Sequence, residues 1–282
     1  MNDAPLDELL ALARRAAHRG AEVLASYAFE ARDIATASKG RRRELVTAAD
    51  RAAEQAVVGT ILEARPLDAV LAEEGALTPA GAASRSADHL WIVDPLDGTT
   101  NFVHNLPWFC VAVALWHRGS PLCAVVEAPR LGKVWSAARG AGAWRDGMRI
   151  HVSPTRELDD ALLCTGFAYN RNEPGRDDNV ERIRRVLPRC RDLRRYGSAE
   201  LDLCMTADGT WDGYWELYLA PYDVAAGALI VREAGGRVTD LSGGDDWLYG
   251  GQVLASNGWL HDELLSCVGG APASPADGTP LC

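Results

Sequence analysis

The chain has 282 residues, of which 48% are hydrophobic and 24% charged, with 27 glycines and 14 prolines. This composition excludes a disordered or fibrous protein and suits one large domain or two packed halves. With 29 basic and 39 acidic residues the net charge is −10, which disfavours general binding to nucleic-acid backbones or anionic membranes, since both need clustered Lys and Arg. An anionic substrate would then require a local device, a metal ion or a helix N-terminus. The seven cysteines (Cys110, Cys123, Cys164, Cys190, Cys204, Cys267 and Cys282) show no C-x-x-C spacing and read as reduced, structural thiols. The first thirty residues lack a basic start followed by an apolar block, and no run approaches the roughly 20 apolar residues of a membrane span. The expected location is the cytoplasm.

From Leu6 to Phe29, apolar residues such as Leu9, Ala13, Ala16, Ala17 and Leu24 recur at three- and four-residue steps, which predicts an amphipathic helix. A basic run from Lys39 to Arg43 leads to Leu45-Val-Thr-Ala-Ala-Asp50, and Ala53, Val57, Val58, Ile61 and Leu62 carry a second helix on to Pro66. Asp50 falls near its start. Short apolar runs at 69–72 and 90–93, then β-type runs at 110–116, 122–127, 133–137 and 142–151, predict a substantial, largely antiparallel sheet. Beyond it come a strand at 161–165, a polar loop at 169–179 and a helix at 178–187 ended by Pro188. Helix 198–207, strand 211–216, helix 223–234, strands 236–239 and 252–255 and helix 258–267 follow in alternation. The expected organisation is an α+β half over 1–155 with most candidate ligands, an α/β half over 156–268, and a disordered tail over 269–282.

The chemistry concentrates at Trp91-Ile-Val-Asp94-Pro95-Leu96-Asp97-Gly98-Thr99-Thr100-Asn101. Two carboxylates stand three residues apart around a proline that fixes its own φ, and Gly98 then allows backbone angles closed to other residues. Asp94, the Leu96 carbonyl and Asp97 can thus converge on one point, as hard oxygen ligands suited to Mg²⁺. Thr99 and Thr100 are placed to cap a following helix, whose free N–H groups would receive an anion. Taken alone, Asp-Gly is an ordinary bend; an EF-hand is excluded because Leu96 and Leu106 break its ligand pattern. Glu73-Glu74 after the apolar run 69–72, and Asp223 opening a helix after Pro221-Tyr222, are singly as unremarkable, as a solvated loop and a helix cap. Together these residues form a pattern.

The blocks Leu45–Asp50, Trp91–Phe102, and Tyr222–Gly227 with Glu233-Ala-Gly-Gly236 resemble the inositol monophosphatase family of lithium-sensitive, magnesium-dependent phosphatases. The resemblance spans roughly 6–267. It implies a layered α-β-α-β-α sandwich of the α+β / α/β class, a homodimer, and two or three Mg²⁺ per site. It also implies Glu73, Asp94 and the Leu96 carbonyl on the first magnesium, Asp94, Asp97 and Asp223 on the second, and Glu73 near a third, weaker one. Asp50 and Thr99 match the pair that orients the attacking water, with Glu73 counted among the catalytic residues, and Lys39 faces the weak metal. Gly98 and Thr99 match the phosphate contacts; Gly197, Ser198, Ala199 and Glu216 match contacts to the alcohol part of the substrate. Departures are Ala72 for a usual Gly, Glu44 for an Asp, and Glu200 for a small residue; Glu200, near the substrate end, bears on substrate identity.

The expected activity is hydrolysis of a small polyol phosphate, foremost inositol monophosphate, by metal-activated water, with no nucleic acid or membrane required. Two cations would neutralise the phosphate and the leaving alkoxide, so neither cysteine nor histidine needs a catalytic role. Rivals within the superfamily are histidinol-phosphate, 3′-phosphoadenosine-phosphate and fructose-bisphosphate phosphatases, of which Thr100-Asn101-Phe102 favours none over the inositol branch. A regulatory binding protein on the same fold is the alternative from another class.

Overall fold

The computed structural model describes residues 5–27, 36–38, 45–75 and 87–270; Lys39 and the tail from 271 onward lie outside them. Helix α1 (Leu6–Tyr27) is followed by a short antiparallel pair, β1 (Thr36–Ser38) and β2 (Leu45–Thr47), and by α2 (Ala48–Ala64). The large sheet then forms from β3 (Ala69–Ala72), β4 (His89–Asp97), β5 (Cys110–His117), β6 (Ser120–Ala128), β7 (Lys133–Ala138), β8 (Gly142–Arg145) and β9 (Met148–Ile150) in sequential order, with α3 (Thr99–Val103) between β4 and β5. Only β3 and β4 run parallel within it. The sequence expectation of a largely antiparallel sheet holds.

The second sheet is mixed, ordered β11-β10-β12-β14-β13. Its strands are β10 (Leu162–Thr165), β11 (Asp192–Arg194), β12 (Gly213–Leu217), β13 (Arg237–Thr239) and β14 (Gln252–Ser256), interleaved with α4 (Val180–Val186), α5 (Ala199–Ala207), α6 (Ala225–Glu233) and α7 (His261–Val268). β11, an edge strand reading Asp-Leu-Arg, carries no apolar alternation and was not anticipated.

Side-chain alternation explains the layers. Along β5, Val111, Val113 and Leu115 face a core shared with Leu12 of α1 and Val57 of α2, while Ala112, Ala114 and Trp116 face a second core with Leu203 of α5 and Leu229 of α6. Both faces are apolar, so the strand reads as one continuous hydrophobic run. Small alanines on the second face let α5 and α6 lie close between the sheets. On the far side Val186 of α4 and Leu264 of α7 pack on Leu163, Trp215 and Leu254. The order helices, sheet, helices, sheet, helices is the α-β-α-β-α sandwich expected. Among the described residues no helix is long and apolar enough to cross a membrane.

Candidate active site

At the end of β4 the ladder breaks. Asp94 pairs with Ala112 and Asp97 with Cys110, so a three-residue step on β4 matches a two-residue step on β5, which is a β-bulge. Pro95 sits inside it, where the missing N–H costs no ladder bond, and β3 has already ended with Ala72 opposite Val93. The bulge extends β4 beyond its apolar signal and turns Asp94 and Asp97 toward one cleft. Gly98 completes the turn at φ +93°, and a Cβ there would lie 2.7 Å from the Trp108 carbonyl oxygen, so only glycine fits. It is also the N-cap of α3, which receives no side-chain cap. The expected Thr caps are therefore absent: the Thr99 hydroxyl instead lies 3.0 Å from Asp50 Oδ1 and 3.2 Å from the Leu96 carbonyl oxygen.

The cleft has a volume of about 420 Å³ and brings together Glu73, Asp94, Leu96, Asp97, Gly98, Thr99, Gly197, Ala199, Glu216 and Asp223. Each acid is tethered. Leu96 N–H donates to Asp94 Oδ1 at 3.0 Å. Asp97 accepts the Ser198 hydroxyl (2.7 Å), Ala199 N–H (3.2 Å) and Glu200 N–H (2.7 Å), and thereby holds the first turn of α5. Asp223 ends a 3₁₀ turn, Pro221–Asp223, just before α6, and accepts Ala220 N–H at 2.6 Å. The turn carrying Glu73 is fixed by its neighbour, since Glu74 N–H donates to Glu54 Oε2 of α2 at 2.7 Å. Asp50, wholly buried on α2, stands behind Thr99.

Burial, and then the charges of Glu73, Asp97 and Asp223, push the Asp94 carboxyl well above the usual carboxylate range. Asp223 is raised likewise by burial and by Glu73. Asp97 is raised by burial, against the opposing pull of its bonds to Ser198, Glu200 and Ala199. Buried like charges of this density are costly unless a cation balances them. Four carboxylates and a carbonyl oxygen are hard donors of the kind Mg²⁺ accepts, so the donor set fits. They flank the cleft and do not close into a cage: among the described residues no three His, Cys, Asp or Glu side chains stand as a ready ligand cluster. Mg²⁺ keeps several waters and takes substrate oxygens, and needs no such cage.

At the other end Glu216 lies on β12, 9% exposed, with the Tyr214 hydroxyl donating to its Oε2 at 2.6 Å. Burial pushes Glu216 up to about 7, while the Tyr214 bond and the nearby Arg195 charge pull it down. Gly197 and Ala199 reach the cleft surface. Ser198 does not; it is buried and its hydroxyl is given to Asp97. Glu200, expected near the substrate end, is also turned away: it is fully buried and accepts N–H bonds from Ala226 (3.1 Å) and Gly227 of α6. Burial, then the Asp97 charge, raises it to about 8 against those two bonds. Phe167, Tyr169, Arg176, Arg195 and Tyr218 also line the cleft, and nothing in their spacing announces it.

Residues 5–268 match the inositol monophosphatase family. The chain is 38% identical over 264 residues to Nus factor SuhB of Pseudomonas aeruginosa, covering 93% of this chain and 96% of that one. It is 40% identical over 272 residues to the chloroplastic phosphatase IMPL1 of Arabidopsis thaliana, covering 94% and 71%. Among solved structures, the inositol monophosphatase of Anabaena superposes with a TM-score of 0.83 at 37% identity, covering 93% and 95%. An IMPase/NADP phosphatase complexed with Mg²⁺ and phosphate gives 0.81 at 25% identity, covering 93% and 95%. With its sandwich fold and a carboxylate-lined cleft at the bulge of β4, the chain belongs to the inositol monophosphatase family of phosphatases.

Proposed function

We propose that the protein is a Mg²⁺-dependent phosphomonoesterase that hydrolyses a small polyol phosphate, foremost inositol monophosphate, by direct attack of water. The observation that carries this reading is the convergence of Glu73, Asp94, Asp97 and Asp223 on one cleft beside the Thr99–Asp50 pair. In this reading Glu73, Asp94 and the Leu96 carbonyl hold one cation, Asp94, Asp97 and Asp223 hold a second, and Glu73 borders a third, weaker site. Bound there, the cations would neutralise the phosphate, acidify the attacking water and stabilise the departing oxygen.

The chain's own residues supply orientation. A threonine hydroxyl has one hydrogen and two lone pairs, so Thr99 cannot bond Asp50 and the Leu96 carbonyl equally. Once that carbonyl serves as a ligand, the hydrogen is committed to Asp50, and a Thr99 lone pair receives a hydrogen bond from the water. Asp50, Thr99 and Glu73 thus aim and deprotonate the nucleophile, while the N–H groups of Gly98 and Thr99 hold the phosphate. Gly197, Ala199 and Glu216 receive the alcohol, and Ser198 acts through Asp97. Glu216 carries the selectivity, because hydroxyls that satisfy a buried carboxylate distinguish a polyol from a plain alcohol.

The complex of the IMPase/NADP phosphatase with Mg²⁺ and phosphate supports the choice of cation. Inhibition by lithium, a cytoplasmic homodimer and no requirement for nucleic acid belong to the same reading. The test is a comparison of kcat/KM for myo-inositol 1-phosphate, histidinol phosphate, 3′-phosphoadenosine 5′-phosphate and fructose 1,6-bisphosphate with Mg²⁺. The first should lead; preference for any other would replace the substrate. The Nus factor name of the P. aeruginosa relative favours a second reading, a role as a Nus factor alongside hydrolysis. Absence of chelator-sensitive phosphate release from all four compounds would leave that reading in place of the first.

A further inference from the structure

The reaction as read above makes no use of Glu200, although a carboxylate buried at the start of a helix and away from the cleft needs a reason to be there. Glu200 is the second residue of α5 and is fully buried. Its backbone N–H donates to Asp97 Oδ2 at 2.7 Å, and its side chain accepts from Ala226 N–H at 3.1 Å and from Gly227 N–H. One residue therefore fastens the first turn of α5 to Asp97 and the first turn of α6 to α5. Asp223 lies three residues before Ala226, on the turn that leads into α6.

Gly227 makes the link possible. A Cβ at that position would lie 2.7 Å from Glu200 Oε2 and 2.5 Å from Leu203 Cβ, so the helices approach closely only because the side chain is missing. The chain of contacts runs Asp97, α5, Glu200, α6, Asp223, and it joins an acid at the end of β4 in the large sheet to one on the turn that follows β12 of the second sheet.

We infer that Glu200 is a positioning residue that sets the separation of Asp97 and Asp223 and so tunes the affinity for the cation they share. The inference rests on the reading of those two acids as ligands of one cation. Partners that orient metal ligands from behind are worth about 10- to 100-fold in affinity. A plain helix cap would affect stability and leave cation binding alone.

The measurement is calorimetric titration of Mg²⁺ into the purified, chelator-stripped, substrate-free full chain and two variants, with melting temperatures in chelator alongside. Glu200→Gln keeps the volume but turns an NH₂ toward a backbone N–H. Glu200→Asp keeps the carboxyl group and both its oxygens on a shorter arm, and keeps the test open should the glutamine variant fail to fold. Both should weaken the Mg²⁺ shared by Asp97 and Asp223 by about tenfold, and the Mg²⁺ concentration for half-maximal phosphatase activity should rise in step while KM for substrate holds. Lower melting temperatures with Mg²⁺ affinity unchanged in both variants would overturn the inference, leaving Glu200 a cap. Wild-type affinity in Glu200→Asp alone would overturn it, because a carboxyl group on a shorter arm cannot set the same separation. No Mg²⁺ binding by the wild type would instead remove the reading of the site beneath it.

Discussion

At one end of the cleft, Asp94 and Asp97 sit on a bulge in a strand buried on both faces, and each acid is tied to backbone N–H groups of its own turn or of α5. At the other end, Tyr169, Arg176, Arg195 and Tyr218 come from separate loops and from the exit of β12, all of them exposed. The acidic end is anchored in the sheet, so its geometry is a property of the fold and its chemistry is hard to change by drift. The aromatic and arginine-lined end hangs on loops, which tolerate substitution and are where relatives with one reaction can diverge in substrate. Glu216 stands between, a strand residue with its side chain at the variable end.

The largest effect should come from Asp97→Asn, which ought to lower kcat/KM on the order of 10³-fold, as loss of one preorganised electrostatic element at a transition state does. Unlike a substitution confined to the cleft, it also turns an amide toward the N–H groups of Ala199 and Glu200, so the melting temperature in chelator should fall too, by about 1–3 kcal/mol in stability terms. Activity within tenfold of wild type at limiting Mg²⁺ would place the metal end elsewhere.

Two buried glutamates should set the pH response of the cation-free protein. Glu216 is raised to about 7 and Glu200 to about 8 from an ordinary value of 4.5, so between pH 4.5 and 8 the folded chain holds protons that the unfolded chain gives up. Stability then falls as pH rises through that window. At about 1.4 kcal/mol per unit, Glu216 alone amounts to about 3 kcal/mol. Melting in chelator should be lower at pH 8 than at pH 5, and saturating Mg²⁺ should narrow the gap; a midpoint that climbs with pH would contradict this.

Thr99→Ala should lower kcat by about 10²-fold with little change in KM, because a hydroxyl that orients water acts in the transition state. A change confined to KM would make Thr99 a substrate contact only. The smallest effect belongs to the variable end: Glu216→Gln should compress the ratio of kcat/KM between inositol phosphate and a simple aryl phosphate by about tenfold, equivalent to about 1.4 kcal/mol. Parallel losses on both substrates would move Glu216 to the anchored end.

The same contrast explains what the sequence disclosed. The helices and sheet strands with apolar periodicity, and the acids at 94 and 97, follow from local spacing and from turn chemistry around Pro95 and Gly98, whereas Glu73 and Asp223 are unremarkable singly and join the site only through the family resemblance. The extension of β4 to Asp97 does not, since it depends on pairing across the bulge with β5. β11 is a three-residue edge strand with one apolar residue, Leu193, held by pairing with β10 and too short to show hydrophobic alternation. Glu200 has no local signal for its role, because the N–H groups it accepts are 26 and 27 positions away. Tyr169 and Arg195 are likewise brought to the cleft by tertiary structure alone.

In the proposed reaction the anchored acids work by holding a divalent cation. Phosphate release from myo-inositol 1-phosphate, followed while chelator-stripped protein is titrated with Mg²⁺, tests it most directly. Release should be absent in chelator, should rise to a plateau as Mg²⁺ is added, and should stop again when chelator is returned in excess. Release that persists in chelator, or that fails to appear at any Mg²⁺ concentration in a chain shown to be folded, would contradict the account.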